Sequence, residues 1–72
     1  MKKFSVLIAG RHATSISLEE EFYQELLNLA ASKNLTVSAL VTEIDETRTI
    51  TNLSSAIRLY ILKSLKQSLK SN

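Results

Sequence analysis

The side chains with types and spacing suited to chemistry fall into three groups. Thr36 and Ser38 precede the aliphatic pair Leu40–Val41, and Asn52, Ser54 and Ser55 precede Ala56–Ile57. Both segments read as helix starts, whose first N–H groups lack intrahelical acceptors and can hold a phosphate as well as a cap. Arg11 and His12 open an alternating run in which Ser15 and Ser17 share one side, suited to water or a ligand. Lys63, Lys66 and Lys70 line one side of the last third of the chain, a pattern that fits solvent, phosphate or an acidic partner. Acid–base relay chemistry is not supported. The chain has one histidine and no cysteine, no nucleophile-plus-base pair can be placed, and a single glycine rules out a glycine-rich phosphate loop. His12 alone makes a poor metal site, so neither an enzyme nor a metal or other cofactor is expected. Asp45 and Arg58 are placed for a structural ion pair between helices.

These residues need elements to carry them. From Arg11 to Leu18, His12, Thr14, Ile16 and Leu18 alternate with Arg11, Ala13, Ser15 and Ser17. That is one strand, with the Ile16/Leu18 side seeking a core. Its backbone groups need a neighbour, and the sequence that follows offers only helices. The partner strand therefore comes from a second copy or from the residues before Gly10. Phe4–Ala9 is a continuous apolar run rich in strand formers. A two-residue Gly10–Arg11 turn would fold it back as a hairpin, but would align Phe4, Val6 and Ile8 with Ala13, Ser15 and Ser17 and leave three large apolar groups outside. Residues 1–10 are therefore expected to form an apolar arm hinged at Gly10.

Three helices follow. Ser17 with Glu20 three residues on reads as a capping box, and Glu19–Glu21 suits the positive end of a helix dipole. Leu18, Phe22, Leu26 and Leu29 make the first stripe, which stops at Lys33–Asn34. Thr36 caps the second helix, where Val37, Leu40, Val41 and Ile44 fall on one buried face up to about Thr47. Asn52 or Thr51 caps the third, which runs to about Leu69. Leu53, Ile57, Tyr60, Ile61 and Leu65 form its main stripe, with Leu59 and Leu62 off it; a helix apolar on two sides favours an oligomer. Residues 70–72 are expected to fray.

Composition agrees with one small domain. At 72 residues the core is marginal without help, and absence of cysteine leaves oligomerisation as the expected help. The net charge of +2 is too mild to identify a nucleic-acid partner by itself. No apolar run approaches the roughly 20 residues of a membrane span, so a soluble, cytoplasmic protein is expected.

The stretches TSISLEEEF, LTVSALVTEID and NLSSAIRLYIL, in the order strand, capped helix, turn and capped helix, resemble the ribbon-helix-helix family, and in particular short bacterial members with a third helix. The resemblance implies a mainly α fold with one short β-strand, paired antiparallel between the subunits of a homodimer, with residues 11–69 as the domain. It implies a transcriptional regulator that enters the DNA major groove with its ribbon. Arg11, Ala13, Ser15 and Ser17 would then face base edges, and Thr36, Val37 and Ser38 a phosphate. Thr14, Ile16 and Leu18, with Phe22, Leu40 and Ile44, would form the dimer core. The partners implied are a second copy, or a higher oligomer, and double-stranded DNA, with no membrane. The alternative is a dimeric or higher-order protein-interaction module on the same fold with little or no DNA affinity, since short serines reach few base edges.

Overall fold

The apolar run before Gly10 is a strand, and it pairs within its own chain. A computed structural model describing residues 1–70 places β1 at Lys2–Ile8 and β2 at His12–Leu18, followed by helices α1 (Glu20–Ser32), α2 (Val37–Thr47) and α3 (Leu53–Lys70). The expected single strand is thus two, and the expected arm is one half of an antiparallel hairpin. The physical reason lies in the turn. Ala9, Gly10 and Arg11 all lie outside the ladder, so Ile8 pairs with His12, Val6 with Thr14 and Phe4 with Ile16. A loop one residue longer than the two-residue turn shifts the register by one and moves Phe4, Val6 and Ile8 onto the Ile16/Leu18 face. The Arg11 N–H donates to the Ile8 carbonyl at 3.0 Å. Ala9 and Gly10 have φ of 53° and 69°, the left-handed pair of a type I′ turn.

The helices lie against the inner face of the hairpin. Val6, Ile16 and Leu18 join Leu26 and Ala30 of α1, Leu40, Val41 and Ile44 of α2, and Ala56, Ile57 and Ile61 of α3 in one buried core. Phe4, Ile8, Phe22, Tyr23 and Tyr60 pack around it, and the Phe4 and Tyr23 rings meet at 4.8 Å between centroids in a tilted contact. No buried side-chain nitrogen or oxygen among the described residues lacks a partner. None of the described helices is long and apolar enough to cross a membrane.

Helix ends follow from local chemistry, with one correction. Ser17 does not cap α1, because it continues β2 opposite Lys3. Glu19 takes the cap position without a side-chain cap bond, and its carbonyl accepts the first helical N–H, from Tyr23, at 2.9 Å. The stop is as expected. Asn34 is left-handed (φ 56°), its N–H donates to Ala31 and that of Leu35 to Ala30, which is the Schellman arrangement. Thr36 Oγ1 accepts the Ala39 N–H at 3.0 Å to open α2, and Asn52 Oδ1 accepts the Ser55 N–H at 2.9 Å to open α3.

The Asp45–Arg58 pair does not form. Asp45 is taken by Arg48, three residues on, at 2.9 Å, and Arg48 also donates to the Ile50 and Thr51 carbonyls. Arg58 instead reaches Glu19, with Nε to Oε1 at 2.7 Å and Nη2 to Oε2 at 3.2 Å, tying α3 to the end of β2. Leu65, placed on the main stripe from the sequence, is exposed, whereas Ile57 and Ile61 are fully buried. Helix α3 reaches Lys70, and the expected fraying at 71–72 lies outside the described residues.

Candidate nucleic-acid interface

Alternation along the two strands sorts the hairpin into an inner and an outer face. The outer one is built from cross-strand pairs Lys3–Ser17, Ser5–Ser15 and Leu7–Ala13. All but Ser17, which is half-buried, are exposed, and Arg11 is exposed in the loop at one end. The sequence pattern alone points to Arg11, Ala13, Ser15 and Ser17 but misses Lys3, Ser5 and Leu7, which come from β1. The signal is present as a period of two in Lys3–Ile8, and the loop length hides it.

Charge on this face is one-sided. Lys3 and Arg11 stand near its two ends, and no carboxylate belongs to it. Glu20 and Glu21 open α1 beyond the Leu18 end of β2. The length of β2 separates that end from Arg11, roughly 20 Å at strand rise. This exceeds the Debye length of about 8 Å at physiological salt, so the glutamates do not cancel the field at Arg11. Glu19 is neutralised locally, since the Arg58 guanidinium that donates to it holds its carboxyl below the usual carboxylate range.

Helix α2 starts beside the turn end of β1. The Leu7 N–H donates to Ser38 Oγ and the Ala9 N–H to Thr42 Oγ1, each at 3.0 Å, while Thr42 Oγ1 donates to the Ser38 carbonyl at 2.8 Å. These bonds bring Thr36–Ser38 and the Arg11 turn to one end of the molecule. A shallow open groove there is lined by Leu7, Ala9, Gly10, Thr36, Ser38 and Thr42. The Thr36 and Ser38 hydroxyls accept backbone N–H groups and so are fixed in place; each keeps its own O–H as a donor, which with the backbone N–H groups of Val37 and Ser38 gives this helix start its anion-binding capacity.

The same two bonds distinguish the hairpin's edges. Leu7 and Ala9 turn their N–H groups away from β2, so His12, Thr14, Ile16 and Leu18 carry the ladder bonds on β2. Ala13, Ser15 and Ser17 therefore direct their N–H and C=O groups to the opposite edge, which α2 does not cover. Of the residues expected in the dimer core, Ile16, Leu18, Leu40 and Ile44 are buried within one chain, and Thr14 and Phe22 are half-buried. His12 is exposed opposite Ile8 at the turn end of the ladder.

A family model described as a ribbon-helix-helix domain matches residues 1–65. No curated protein and no solved structure gives a significant match.

Proposed function

From the premise that this chain belongs to the ribbon-helix-helix domain family, we propose that it is a homodimeric DNA-binding transcriptional regulator whose hairpin presents its outer face to the major groove. The observation that carries this reading is the carboxylate-free outer face with Lys3 and Arg11 near its ends and a helix start beside the Arg11 turn. The major groove admits a two-stranded ribbon, and short side chains on it allow close backbone approach. Arg11, Ser15 and Ser17 face base edges, with Ala13 in van der Waals reach of a thymine methyl. Lys3 on the flanking strand and the Val37 and Ser38 N–H groups meet phosphates, which position the ribbon rather than read sequence.

Dimerisation in this reading runs through the open edge of β2. Two copies paired antiparallel about Ser15 satisfy the unpaired groups of Ala13, Ser15 and Ser17 and set the two β2 strands at the centre of a shared sheet. The hydroxyl-bonded turn end of β1 is the less available edge. A second reading, a protein-interaction module, draws support from the Leu7–Ala13 pair, which puts an exposed leucine on the same face.

Duplex retardation across a salt series decides between them. The DNA reading expects binding that weakens steeply with salt. Lys3→Ala should lower affinity across sequences and flatten the log–log slope by about 0.9 for every phosphate no longer neutralised, whereas Arg11→Ala should cost about 1–3 kcal/mol on the preferred sequence and relax specificity at the base it faces. No retardation at micromolar protein in low salt refutes it.

A further inference from the structure

Helix α3 buries Ala56, Ile57 and Ile61 in the core and leaves a second apolar row on view. Leu59, Leu62 and Leu65 are 41%, 45% and 42% exposed, and Leu69 is 76% exposed. At about 100° per residue, positions 59, 62, 65 and 69 fall within about one third of the helix circumference. Lys63 and Lys66 are both exposed; by the same geometry Lys63 lies just beyond Leu59 at one edge of the row and Lys66 projects between Leu59 and Leu62.

The row is continuous with a cleft. Where the connector after α2 meets α3, an opening of about 170 Å³ is lined by Ile44, Ile50, Ala56, Leu59, Tyr60 and Lys63. Leu59 belongs to both row and cleft, and Ile50 adds another exposed apolar side chain at the rim. The cleft is open to solvent and has Thr47, Arg48 and Thr49 along its connector side; its volume is close to that of the roughly 150 Å³ space that accommodates a benzene ring, room for one leucine- or phenylalanine-sized group against Ile44, Ile50 and Leu59. An anchor pocket beside an apolar ridge is the arrangement in which a few side chains carry most of a binding energy.

Charge selects the occupant. Between Leu53 and Lys70 there are four basic residues, Arg58, Lys63, Lys66 and Lys70, and no Asp or Glu. Arg58 is engaged by Glu19, whereas Lys63 and Lys66 have no ion pair among the described residues. A second copy of α3 laid on the row would bring lysines against lysines as water leaves, which opposes self-pairing. A helix with an apolar stripe and acidic flanks covers the leucines and meets both lysines.

We propose that α3 is a docking face for an acidic amphipathic helix of another protein, which seats one apolar side chain in the cleft bounded by Ile50 and Leu59 and sets its carboxylates against Lys63 and Lys66. The test uses the full chain and two synthetic amphipathic peptides of leucine and one phenylalanine, one with glutamate flanks and one with lysine flanks, followed by amide chemical shifts. The expected result is binding of the glutamate peptide, with shifts confined to α3 and the segment around Ile50. The double variant Lys63→Glu/Lys66→Glu should weaken that peptide by about tenfold or more, equivalent to roughly 1.4 kcal/mol, and gain affinity for the lysine peptide. The surface variant Leu62→Ser/Leu65→Ser, checked for unchanged circular dichroism, should lose the glutamate peptide while remaining folded. Equal binding of both peptides, or of neither, overturns the proposal. So does a chain that sediments as an oligomer and becomes smaller in Leu62→Ser/Leu65→Ser without peptide, which would assign the row to a second copy. Leucine-dependent binding to vesicles of anionic lipid without binding of the glutamate peptide would assign it to a lipid surface and equally refute it.

Discussion

Truncating Ile16 to alanine tests where the core of this molecule lies. Ile16 is 2% exposed, pairs with Phe4 across the hairpin and belongs to the same buried cluster as Leu18, Leu26 and Ile57. Removing its outer methyl and methylene groups loses their transfer free energy and leaves a cavity bounded by three helices and a strand. Such substitutions cost about 2–5 kcal/mol, and a site walled by so many elements collapses poorly, so a cost of about 3 kcal/mol is expected. A chain of 72 residues has a total stability of roughly 4–11 kcal/mol, so about a quarter or more of it should disappear. With a urea slope of about 1 kcal/mol per M for so small a domain, the midpoint should fall by roughly 3 M. Urea titrations followed by circular dichroism, run on wild type and variant over a hundredfold range of protein concentration, give the answer. Because Ile16 is covered by its own chain, the gap between wild type and variant should not change with concentration. A gap below about 1 kcal/mol, or one that closes as concentration rises, would refute the intrachain placement and return Ile16 to a subunit interface.

Two further substitutions probe the turn and the β2–α3 tie. Ala9 holds a left-handed φ of 53° that costs an alanine about 1–2 kcal/mol. Ala9→Asn creates the Asn–Gly pair favoured in this turn and should stabilise by about 0.5–1 kcal/mol, a rise of several degrees in Tm; a fall would show that the turn geometry is different. Glu19 has its folded-state carboxyl held low by Arg58, so the stability it contributes is present above the ordinary glutamate range and lost as pH drops through the depressed folded value. Glu19→Gln should therefore lower Tm at neutral pH and flatten the acid limb of the Tm–pH curve, and an unchanged limb would show that the ion pair contributes nothing to folding.

The helices are readable from sequence because their signals are local. Thr36, Asn34 and Asn52 each act through a bond to a residue within four positions, and the Leu40–Ile44 face follows from one period along one segment. What fails is whatever depends on a count or a competition between distant groups. The arm reading of Phe4–Ala9 rests on assuming a two-residue turn, and a third loop residue reverses it. Ser17 has good cap chemistry, yet strand pairing with Lys3 claims its backbone first. Arg58 has several carboxylates in possible reach, and only the three-dimensional path of α3 selects Glu19 over Asp45. For the outer face, half is legible and half is hidden for the same reason, since Lys3, Ser5 and Leu7 become its members only when the register is known.

Surface loops generally tolerate insertions and deletions better than the elements they join. The tip at Ala9–Gly10–Arg11 should behave in the opposite way. Its residues can drift in identity, provided the first two accept a left-handed backbone, but their number acts as a parity bit for the strand before them. Losing or gaining one would leave every residue of β1 in place along the chain while exchanging Phe4, Val6 and Ile8 for Lys3, Ser5 and Leu7 on the side that meets the helices. A three-residue tip thus decides at once which side chains hold the molecule together and which are left free to meet something else.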